Sequence, residues 1–562
     1  MSMMKWSGWG AEDVTFSAAD KPALGPFLEQ HLGLRSAGAL TASVAFAALD
    51  VPEPAASDEL LDALRRVAGA EAVSLEARDR VTHARGKSLR DLVRHRAGEL
   101  GRIPDVVVRP SDEDAVAGLL AVVLDADAVA IPFGGGTNIS GSLEVPAGET
   151  RPVVSIDLGR LDRVLEIDEA SRLARVQAGV FGPDLERQLN ARGWTLGHFP
   201  DSFTYSTLGG WIATRSSGMQ SDRFGDVAEL TRGLRAVTPT GVLAIRPVPA
   251  TSTGPSVREM ILGSEGRLGI ITEATVQVHR VAQERTIRGY LFPSWPAGLA
   301  AMRDIAASEA SPSVTRVSDA PETAFSFATK KGGSVVDRLK SRALRAFLER
   351  RRGFDVSAMC LAFIGYEGSA RHVAAQRKLV GRIVAAHGGV GIGSGPGALY
   401  DQKKFDTPYI RDYLLDRGAL ADVSETAAPW SALPEVYDNV MAAARERFDA
   451  LGVKGYIMSH LSHSYHGGAC LYFTFAFRPD PVRDGLADYD TIKSAIQQAF
   501  VDSGATLSHH HAVGTEHAAW LEQDISAPGV AMIRALLEGV DPGANLNPGK
   551  IVADRQPAPV ER

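Results

Sequence analysis

The sequence predicts an α+β protein with two mixed domains, and three observations support this expectation. The chain has 562 residues, which is long enough for several domains and a large buried core. Between residues 96 and 282, short β-branched strands are interleaved with short helices. Residues 283–540 form a second α+β region with longer helices. Residues 1–95 predict a helical N-terminal extension, and residues 541–562 a turn-rich segment that returns to the first domain.

Local patterns place the elements in chain order. Residues 58–66 have apolar side chains at helical spacing, which predicts a helix in the extension. In the first domain, residues 105–109 predict a strand, residues 115–124 a helix that follows acidic residues, and residues 128–131 a second strand. Further strands are predicted at 153–157, 174–177, 233–238 and 270–278.

The composition excludes several classes of protein. With 60 Lys and Arg against 67 Asp and Glu, the net charge is −7, so no general attraction to nucleic acid is expected. Two cysteines, Cys360 and Cys470, cannot form a disulfide framework or a four-thiolate metal site. The N-terminus lacks a secretory pattern, and no apolar run approaches the roughly 18 residues of a membrane span. We therefore expect a cytoplasmic protein that is not secreted.

The first of three glycine clusters, residues 132–141, follows a predicted strand and reads PFGGGTNISG. Consecutive glycines let backbone N–H groups converge, and Thr137, Asn138 and Ser140 add side-chain donors, which is the chemistry of a pyrophosphate cradle. The cluster matches neither the P-loop nor the GxGxxG pattern. A tight loop without a ligand is the alternative that these residues leave open.

Two further clusters are also rich in glycine and small polar residues. Residues 200–218 are dense in hydroxyls and small side chains, so they can pass close to a polar ligand, although an ordinary Ser/Thr loop has the same composition. Residues 263–272 contain three glycines and enter a predicted strand, where a bulge or a hairpin turn is the alternative.

In this order, the three clusters resemble the vanillyl-alcohol oxidase family, whose FAD domain carries a Gly-Gly-Gly-Thr loop and a Ser-Glu-Gly-x-x-Gly-Ile-Ile-Thr element. The resemblance implies a two-subdomain FAD-binding domain followed by an α+β substrate (cap) domain. It implies non-covalent FAD, since residues 132–141 contain no histidine for attachment. The residues that it assigns to FAD are Pro132, Gly134, Gly135, Gly136, Thr137, Asn138, Ser140, Asp201, Ser202, Ser206, Thr207, Thr214, Arg215, Ser216, Ser217, Glu265, Gly266, Gly269, Ile270 and Ile271.

A second set of motifs resembles the alkyldihydroxyacetonephosphate synthase family, flavoenzymes that form the ether bond of ether lipids. The motifs are TRVSD at 315–319, YIRD at 409–412, ETAAPW at 425–430, SYHGGACLYF at 464–473 and LSHHHAVG at 507–514. The implied reaction exchanges the acyl group of acyl-dihydroxyacetone phosphate for a long-chain fatty alcohol through an adduct at flavin N5. The implied catalytic residues are Tyr465, as acid/base, and His509, His510 and His511; Arg411 and Arg316 would bind the anionic substrate.

Residue chemistry is compatible with these roles and leaves alternatives open. Imidazoles with an ordinary pKa of about 6.5 suit proton transfer near neutral pH, but a surface loop or a metal site could contain the same histidines. A free tyrosine has a pKa of about 10, so Tyr465 needs a positive neighbour to act at neutral pH, and a packed strand aromatic is its alternative role. The two arginines can clamp a phosphate or form ordinary ion pairs.

Two positions depart from the pattern of the synthases and keep a rival function open. Thr515 stands where that family has a lysine after the histidines, and Val423 stands where it has a serine. Residues 547–551 are similar to the end of flavin-dependent 2-hydroxyacid dehydrogenases. The rival is therefore a FAD-dependent 2-hydroxyacid or alcohol dehydrogenase or oxidase, and a flavin-binding module without catalysis is a third alternative.

A further histidine pattern, H-x-x-H-x-x-H, comprises His460, His463 and His466. Side chains at this period share one face of neither a strand nor a helix, so no metal site is predicted.

Residues 330–352 contain nine basic residues opposed only by Asp337 and Glu349. Apolar residues recur among them at helical spacing, and a basic amphipathic helix can lie on an anionic bilayer, here the inner face of the membrane. A solvated helix with a small buried stripe is the alternative. We also expect a homodimer.

Overall fold

A computed structural model describes residues 4–35, 40–332, 335–403, 405 and 407–553, with the backbone alone described at 335–342, 403 and 407. The predicted α+β fold is confirmed. The N-terminal region and first subdomain contain α1 (Leu24–Leu32), α2 (Asp58–Ala68), β1 (Val73–Ser74), α3 (Ala77–Thr82), α4 (Leu89–Ala97), β2 (Val106–Val108), α5 (Glu113–Asp125), β3 (Val129–Phe133) and β4 (Val153–Asp157).

The first sheet has the order β1-β2-β4-β3, with β2, β4 and β3 parallel and β1 antiparallel. Its three parallel strands are mostly buried on both faces, as parallel strands usually are. Helix α2 begins at its cap Ser57 and packs against α5. Because Val73 pairs with Val108, the end of the predicted 1–95 extension completes this sheet instead of standing apart from it.

The second subdomain contains β5 (Val164–Asp168), β6 (Leu173–Gln177), α6 (Gly182–Asn190), β7 (Trp194–Thr195), α7 (Leu208–Thr214), α8 (Ser221–Phe224), α9 (Val227–Leu230), β8 (Thr231–Thr238), β9 (Gly241–Ile245), α10 (Val257–Ile261), β10 (Ile270–Gln277) and β11 (His279–Arg280). Five of these strands form an antiparallel sheet in the order β5-β6-β10-β8-β9. Trp194 and Trp211 are buried in its core.

The cap domain contains β12 (Glu284–Phe292), α11 (Trp295–Ala306), β13 (Val314–Ser318), α12 (Ala320–Ala328), α13 (Val335–Arg352), β14 (Cys360–Gly368), α14 (Ala370–Ala386), β15 (Val390–Gly393), α15 (Gly395–Lys403), α16 (Thr407–Leu415), β16 (Leu420–Pro429), α17 (Leu433–Leu451), β17 (Gly455–Ser464), β18 (Gly468–Phe477) and α18 (Gly485–Asp502). Its seven-stranded antiparallel sheet has the order β15-β12-β14-β13-β17-β18-β16.

The two faces of the cap sheet have different neighbours because side chains alternate along a strand. On β14, Cys360, Ala362 and Ile364 share a core with residues of α11, α14, α17 and α18. The alternate residues Leu361 and Phe363 face a cavity instead. One face of the sheet therefore builds the core and the other builds the site.

The chain ends against the first domain. Helix α19 (Leu521–Val540) bends at Ser526 and contributes Leu521 and Leu537 to the core of the second subdomain. The following residues lie along β3, where the Ala130 amide donates to the Asn545 carbonyl oxygen and the Asn547 amide donates to the Ala130 carbonyl oxygen. Residues 554–562 of the predicted return segment lie outside the described residues.

The basic stretch forms the long helix α13. Residues 333 and 334 and the side chains at 335–342, which include Val336 and Leu339 of the predicted apolar stripe, lie outside the described residues. In the part of the chain that the structure describes, no helix has both the length and the apolar character needed to cross a membrane.

Candidate active site

A cavity of about 1320 Å³ lies between the cap sheet and the two subdomains of the first domain. One wall is built from residues 132–143, 200–219 and 265–271, which include all three glycine clusters. The opposite wall comes from β13, β14, β17, β18 and α16 of the cap domain. The cavity thus brings together segments that are hundreds of residues apart in sequence.

The glycine loop after β3 presents free backbone donors to this cavity. Within the described residues, none of the N–H groups of residues 134–139 donates to a protein acceptor. A Cβ atom on Gly135 would overlap the Tyr205 carbonyl oxygen, and one on Gly134 would overlap the Thr207 hydroxyl, so the loop is packed against residues 205–207. Consecutive unpaired N–H groups held in this way fit the pyrophosphate of a dinucleotide such as FAD.

Most residues that the sequence assigns to FAD line the cavity. They are Pro132, Gly134, Gly135, Gly136, Thr137, Asn138, Asp201, Ser202, Ser206, Thr207, Thr214, Ser216, Ser217, Glu265, Gly266, Gly269 and Ile271. Three others lie away from its wall. Arg215 pairs with Glu259 at 3.0 Å, Ile270 is buried in the core of the first subdomain, and the Ser140 hydroxyl donates to the His511 carbonyl oxygen at 2.9 Å.

Asn547 is a cavity residue that sequence reasoning missed. Its side-chain amide donates to the Ser142 carbonyl oxygen at 2.9 Å and to the Glu265 carbonyl oxygen at 2.7 Å. Its Oδ1 atom is buried without a partner in the described structure, so it can still accept a hydrogen bond from a ligand. The Asn-Pro-Gly-Lys motif of residues 547–550 was the available signal, but only folding brings it to the glycine loop.

The loop at 508–514, here called the histidine loop, is held by two buried carboxylates. Glu425 of β16 accepts hydrogen bonds from the amides of His509, His510 and His511 at 2.7–3.0 Å. On the other side, Glu265 accepts from the amides at 513 and 514 at 3.0 Å. The loop is therefore clamped between the cap domain and the FAD-type domain. Sequence reasoning gave neither glutamate this role, since it assigned Glu265 to FAD and Glu425 to no function.

Burial opposes ionisation of both clamps, with different outcomes. Burial alone would raise the pKa of Glu425, but the neighbouring histidines and loop amides hold that pKa well below its ordinary range. Burial raises the pKa of Glu265 despite the loop amides and the Ser142 hydroxyl that donate to it. Glu425 is therefore the anionic anchor of the histidine loop.

Tyr465 and His509 are brought together behind the cavity wall. The Tyr465 hydroxyl lies 2.6 Å from His509 Nε2 and donates to Asp226 Oδ2 at 2.8 Å. Tyr465 lines a second, smaller cavity of about 290 Å³, whereas His510 and His511 line the large one. Burial, reinforced by the Asp226 carboxylate, raises the pKa of Tyr465 far above its ordinary value. The neighbour of Tyr465 is therefore an anion, where sequence reasoning required a cation.

Arg316 and Arg411, the two residues predicted to bind the anionic substrate, differ in how many of their hydrogen-bond donors are already used. Arg316 on β13 donates to Glu322 at 2.6 Å, and its guanidinium lies 5.7 Å from the centroid of the Tyr400 ring. Arg411 on α16 also lines the cavity, and its Nε atom is buried without a partner in the described structure. Arg411 thus has spare donor capacity for an anion, while Arg316 is partly committed to Glu322.

The Arg316–Glu322 pair extends to His460 of β17. His460 Nδ1 lies 2.7 Å from Glu322 Oε2. Burial opposes the charge on Glu322, but His460 and Arg316 lower its pKa to about 2. Burial also lowers the pKa of His460, followed by the repulsion from Arg316. The result is a buried ion pair with a neutral imidazole beside it.

His460 and His463 both reach the cavity although three positions separate them. The register of β17 against β18 shifts between Leu461 and His463, and such a bulge turns the second histidine to the face of the first. His466 lies beyond the strand. In the described residues, the one set with metal-binding spacing is instead Glu425, Cys470, His509 and His510. Glu425 already accepts five hydrogen bonds there, four from residues 508–511 and one from the Cys470 thiol, so this set is fitted to hold the loop.

Thr515 and Val423, the two positions that depart from the synthase pattern, both have defined contacts in the structure. Thr515 donates its amide to the Ser140 carbonyl oxygen at 2.9 Å and packs against Gly141. Val423 lines the cavity, and its carbonyl oxygen accepts a hydrogen bond from the buried ammonium of Lys493 at 2.6 Å. A cation is therefore present behind the β16 wall, although it comes from α18.

The remaining cavity wall is apolar. It comprises side chains of the cap domain and of α1, among them Phe27, Leu28, Leu32, Leu291, Leu348, Met359, Leu361, Phe363, Ile392 and Met458. Burying one methylene group contributes about 0.8 kcal/mol, so this wall suits a long alkyl or acyl chain. Helix α1 of the extension thus takes part in the site.

Comparison with known proteins agrees with this geometry. Residues 104–245 match a family model described as FAD binding domain, and residues 281–551 match one described as FAD linked oxidases, C-terminal domain. The chain is 40% identical to an alkyldihydroxyacetonephosphate synthase of Dictyostelium discoideum over 84% of its length and 77% of that protein. It is 32% identical to the synthase of Trypanosoma brucei brucei over 98% of its length and 92% of that protein. A solved structure of an alkyldihydroxyacetonephosphate synthase is 34% identical, with a TM-score of 0.84 over 98% of this chain and 99% of that one.

Proposed function

Because the chain belongs to the family of alkyldihydroxyacetonephosphate synthases, FAD-dependent enzymes of ether-lipid formation, we propose that it exchanges the acyl group of acyl-dihydroxyacetone phosphate for a long-chain fatty alcohol. One observation carries the proposal most strongly. A single cavity combines a cradle of unpaired N–H groups, two guanidinium groups and a long apolar wall. A phosphorylated substrate with a fatty chain needs the last two, and FAD needs the first.

The chain's own residues have separable roles. Arg411 binds the phosphate with its uncommitted donors, and Arg316 adds positive charge beside the same cavity. The apolar wall holds the acyl chain and then the alkyl chain. The glycine loop would hold FAD non-covalently, and the bound flavin ring would supply the chemistry that the exchange of the two chains requires. The histidine loop and Tyr465 hold and return the proton that the substrate releases.

The decisive assay separates this transferase from the dehydrogenase or oxidase that the sequence leaves open. Purified protein is incubated with acyl-dihydroxyacetone phosphate and a labelled fatty alcohol without an electron acceptor, and in parallel with a dye and a panel of hydroxy acids and alcohols. We expect label in the ether product and no dye reduction. Dye reduction without incorporation would replace the transferase by the dehydrogenase.

A simple check tests the cofactor state. The purified protein should be yellow, and acid precipitation should release the flavin into the supernatant. Flavin that stays with the precipitated protein would contradict non-covalent binding.

We also propose that the protein contacts an anionic membrane surface through the region of residues 330–352. Phe327 and Leu399 are exposed and also line the cavity, so its wall reaches the protein surface at two apolar side chains. Lys330 and Arg345 line the same cavity and add positive charge. Both substrates carry fatty chains, and a mouth that is apolar and basic suits their delivery from an anionic bilayer.

Flotation with vesicles tests this contact. The protein should float with vesicles that contain phosphatidylserine at low salt, and less with pure phosphatidylcholine or at high salt. The double variant Lys330→Glu/Arg345→Glu should lose flotation, whereas a matched charge reversal at the exposed Arg65 and Arg187 should keep it. Equal loss in both variants, or no flotation of the wild type, would remove the proposal.

A further inference from the structure

We propose that Asp226 is a positioning residue: it orients a chain of hydrogen-bonded side chains that ends at His510, and so presents an unprotonated His510 Nε2 atom to the cavity. Asp226 precedes α9 and is absent from every motif that the sequence analysis identified. Its contribution to catalysis rests on the proposed function. The orientation of these hydrogen bonds does not, because it follows from their geometry together with the charge on Asp226.

This chain of side chains comprises three contacts of hydrogen-bond length. The Tyr465 hydroxyl lies 2.8 Å from Asp226 Oδ2 and 2.6 Å from His509 Nε2. His509 Nδ1 in turn lies 2.8 Å from His510 Nδ1. Of the ring-bearing members, only His510 lines the large cavity, and its Nε2 atom has no protein partner among the described residues. The hydrogen-bonded side chains therefore connect the buried carboxylate of Asp226 to the cavity.

The charge on Asp226 fixes the direction of the first link. Burial opposes ionisation, but His463, His509 and the hydroxyls of Ser217 and Tyr465 lower the pKa of Asp226 below its ordinary value. An ionised carboxylate can only accept hydrogen bonds, and a phenol has one proton to donate. Tyr465 therefore donates to Asp226, and its oxygen must accept the hydrogen bond at His509.

The remaining directions follow in turn. His509 donates from Nε2, so in its neutral form Nδ1 carries the lone pair and accepts. His510 must then donate from Nδ1, which leaves the Nε2 atom of this cavity-lining ring as an acceptor. With His509 neutral, each choice follows from the one before, and the first follows from an ionised Asp226.

The surroundings of His510 favour the same tautomer. Glu425 Oε2 lies 3.5 Å from His510 Nδ1, and an anion near this atom favours a proton on it. The other titratable side chains near His510 are the rings of His463, His511 and Tyr472, with centroids 4.4–6.1 Å away, and the thiol of Cys470, whose sulfur lies within 4.8 Å of a His510 ring nitrogen. Burial lowers the pKa of His510 to about 3, so the ring is neutral at neutral pH and one of its two nitrogens carries a lone pair.

Proton transfer along this chain is balanced without a further reactant. When His510 Nε2 accepts a proton from the substrate, the Nδ1 proton of His510 moves to His509. The Nε2 proton of His509 moves to Tyr465, and the Tyr465 hydroxyl proton moves to Asp226. Four N–H or O–H bonds form in this sequence, while three such bonds and the substrate's bond to its proton break. The reverse sequence returns the proton to the substrate.

Histidine tautomers can be measured directly by ¹⁵N NMR of the ¹⁵N-histidine-labelled FAD-bound enzyme without substrate, with His510→Asn assigning the signal. In the wild type we expect Nδ1 protonated and Nε2 unprotonated at His510. In Asp226→Ala and in Tyr465→Phe, which leaves the Asp226 cap of α9 intact, we expect this preference to be lost. Glu229→Gln is the matched control, since Glu229 accepts from the Asp226 amide in the same cap without touching Tyr465.

Three outcomes would overturn the proposal. They are a proton on His510 Nε2 in the wild type, an unchanged tautomer in both variants, and an equal change in Glu229→Gln. None of these measurements requires turnover, so failure of the proposed reaction would leave them interpretable, and the transferase could stand if they fail.

Discussion

Tyr465 illustrates how much a single residue depends on its neighbours. Its sequence motif indicates an acid/base, and ordinary pKa values require a cation beside it. The structure places the Asp226 carboxylate there instead, and His509 completes its hydrogen bonds. A tyrosine in this environment stays protonated and relays a proton through its hydroxyl group, instead of acting as a phenolate.

Replacing Tyr465 by Phe should break this relay with little change to the fold. We expect turnover to fall by about 100-fold or more, in the range usual for loss of an acid/base group, while the flavin absorbance per protein stays constant. Ether-product formation and the visible spectrum measure the two effects. Normal turnover in the variant would remove Tyr465 from the proton path.

A second residue-level prediction concerns the buried Arg316–Glu322 pair. In Glu322→Gln the guanidinium loses its 2.6 Å partner, and breaking a buried pair in this way costs about 3–5 kcal/mol of unfolding free energy. Thermal denaturation measures this loss. The exposed pair between Arg187 and Asp184 supplies the control, because Asp184→Asn should cost less than about 1 kcal/mol.

The same variant has a defined pH dependence. The pKa of Glu322 falls from 4.5 to about 2 on folding, so its charge stabilises the folded state fully above pH 4.5. This contribution is lost as the pH falls towards 2. The difference in melting temperature between wild type and Glu322→Gln should therefore shrink with acidification, and a constant difference would argue against an ionised Glu322.

At the scale of elements, the site depends on two loops held by neighbouring segments. The glycine loop follows β3 and rests on residues 205–207, while the histidine loop is clamped by Glu425 and Glu265. Sequence reasoning identified both loops, because their glycines and histidines are contiguous. It missed both clamps, because a glutamate in a strand or turn carries no local sign of the loop that it will hold.

The glycine loop allows a matched pair of substitutions. Gly135→Ala should abolish FAD binding, since its Cβ atom would overlap the Tyr205 carbonyl oxygen and push the N–H groups out of position. Gly148→Ala has no atom within 4 Å of the new Cβ and should bind FAD normally. Flavin content after gel filtration distinguishes them, and a yellow Gly135→Ala protein would contradict the role of the loop.

At the scale of the whole molecule, the cavity lies between separately built domains. The antiparallel cap sheet supplies the apolar wall and the arginines, and the FAD-type domain supplies the cradle. Helix α1 from the extension and Asn547 from the C-terminal segment complete the wall. The homodimer and the cytoplasmic location stay predictions.

A ligand in this position should stabilise both domains. FAD at about 100 times its dissociation constant adds about 2.7 kcal/mol to the stability of the folded state. We expect a higher melting temperature on adding FAD to the apoprotein, with slower hydrogen exchange both at 132–141 and in the histidine loop. Protection confined to the first domain would indicate that FAD does not reach the cap side of the cavity.

By itself the sequence determined the α+β class, six strands of the first domain and the glycine-rich segments that line the cavity. These properties depend on local periodicity and on contiguous motifs, such as residues 132–141 and 509–511. Only the tertiary structure decided which atoms face the cavity. Asp226, Glu425 and Asn547 come from separate elements, and a β-bulge turns His463 towards His460. The physical reason is that a proton path and a ligand-binding cradle require particular groups to lie within hydrogen-bonding distance of one another. Residues from separate elements reach those distances only when the domains pack together.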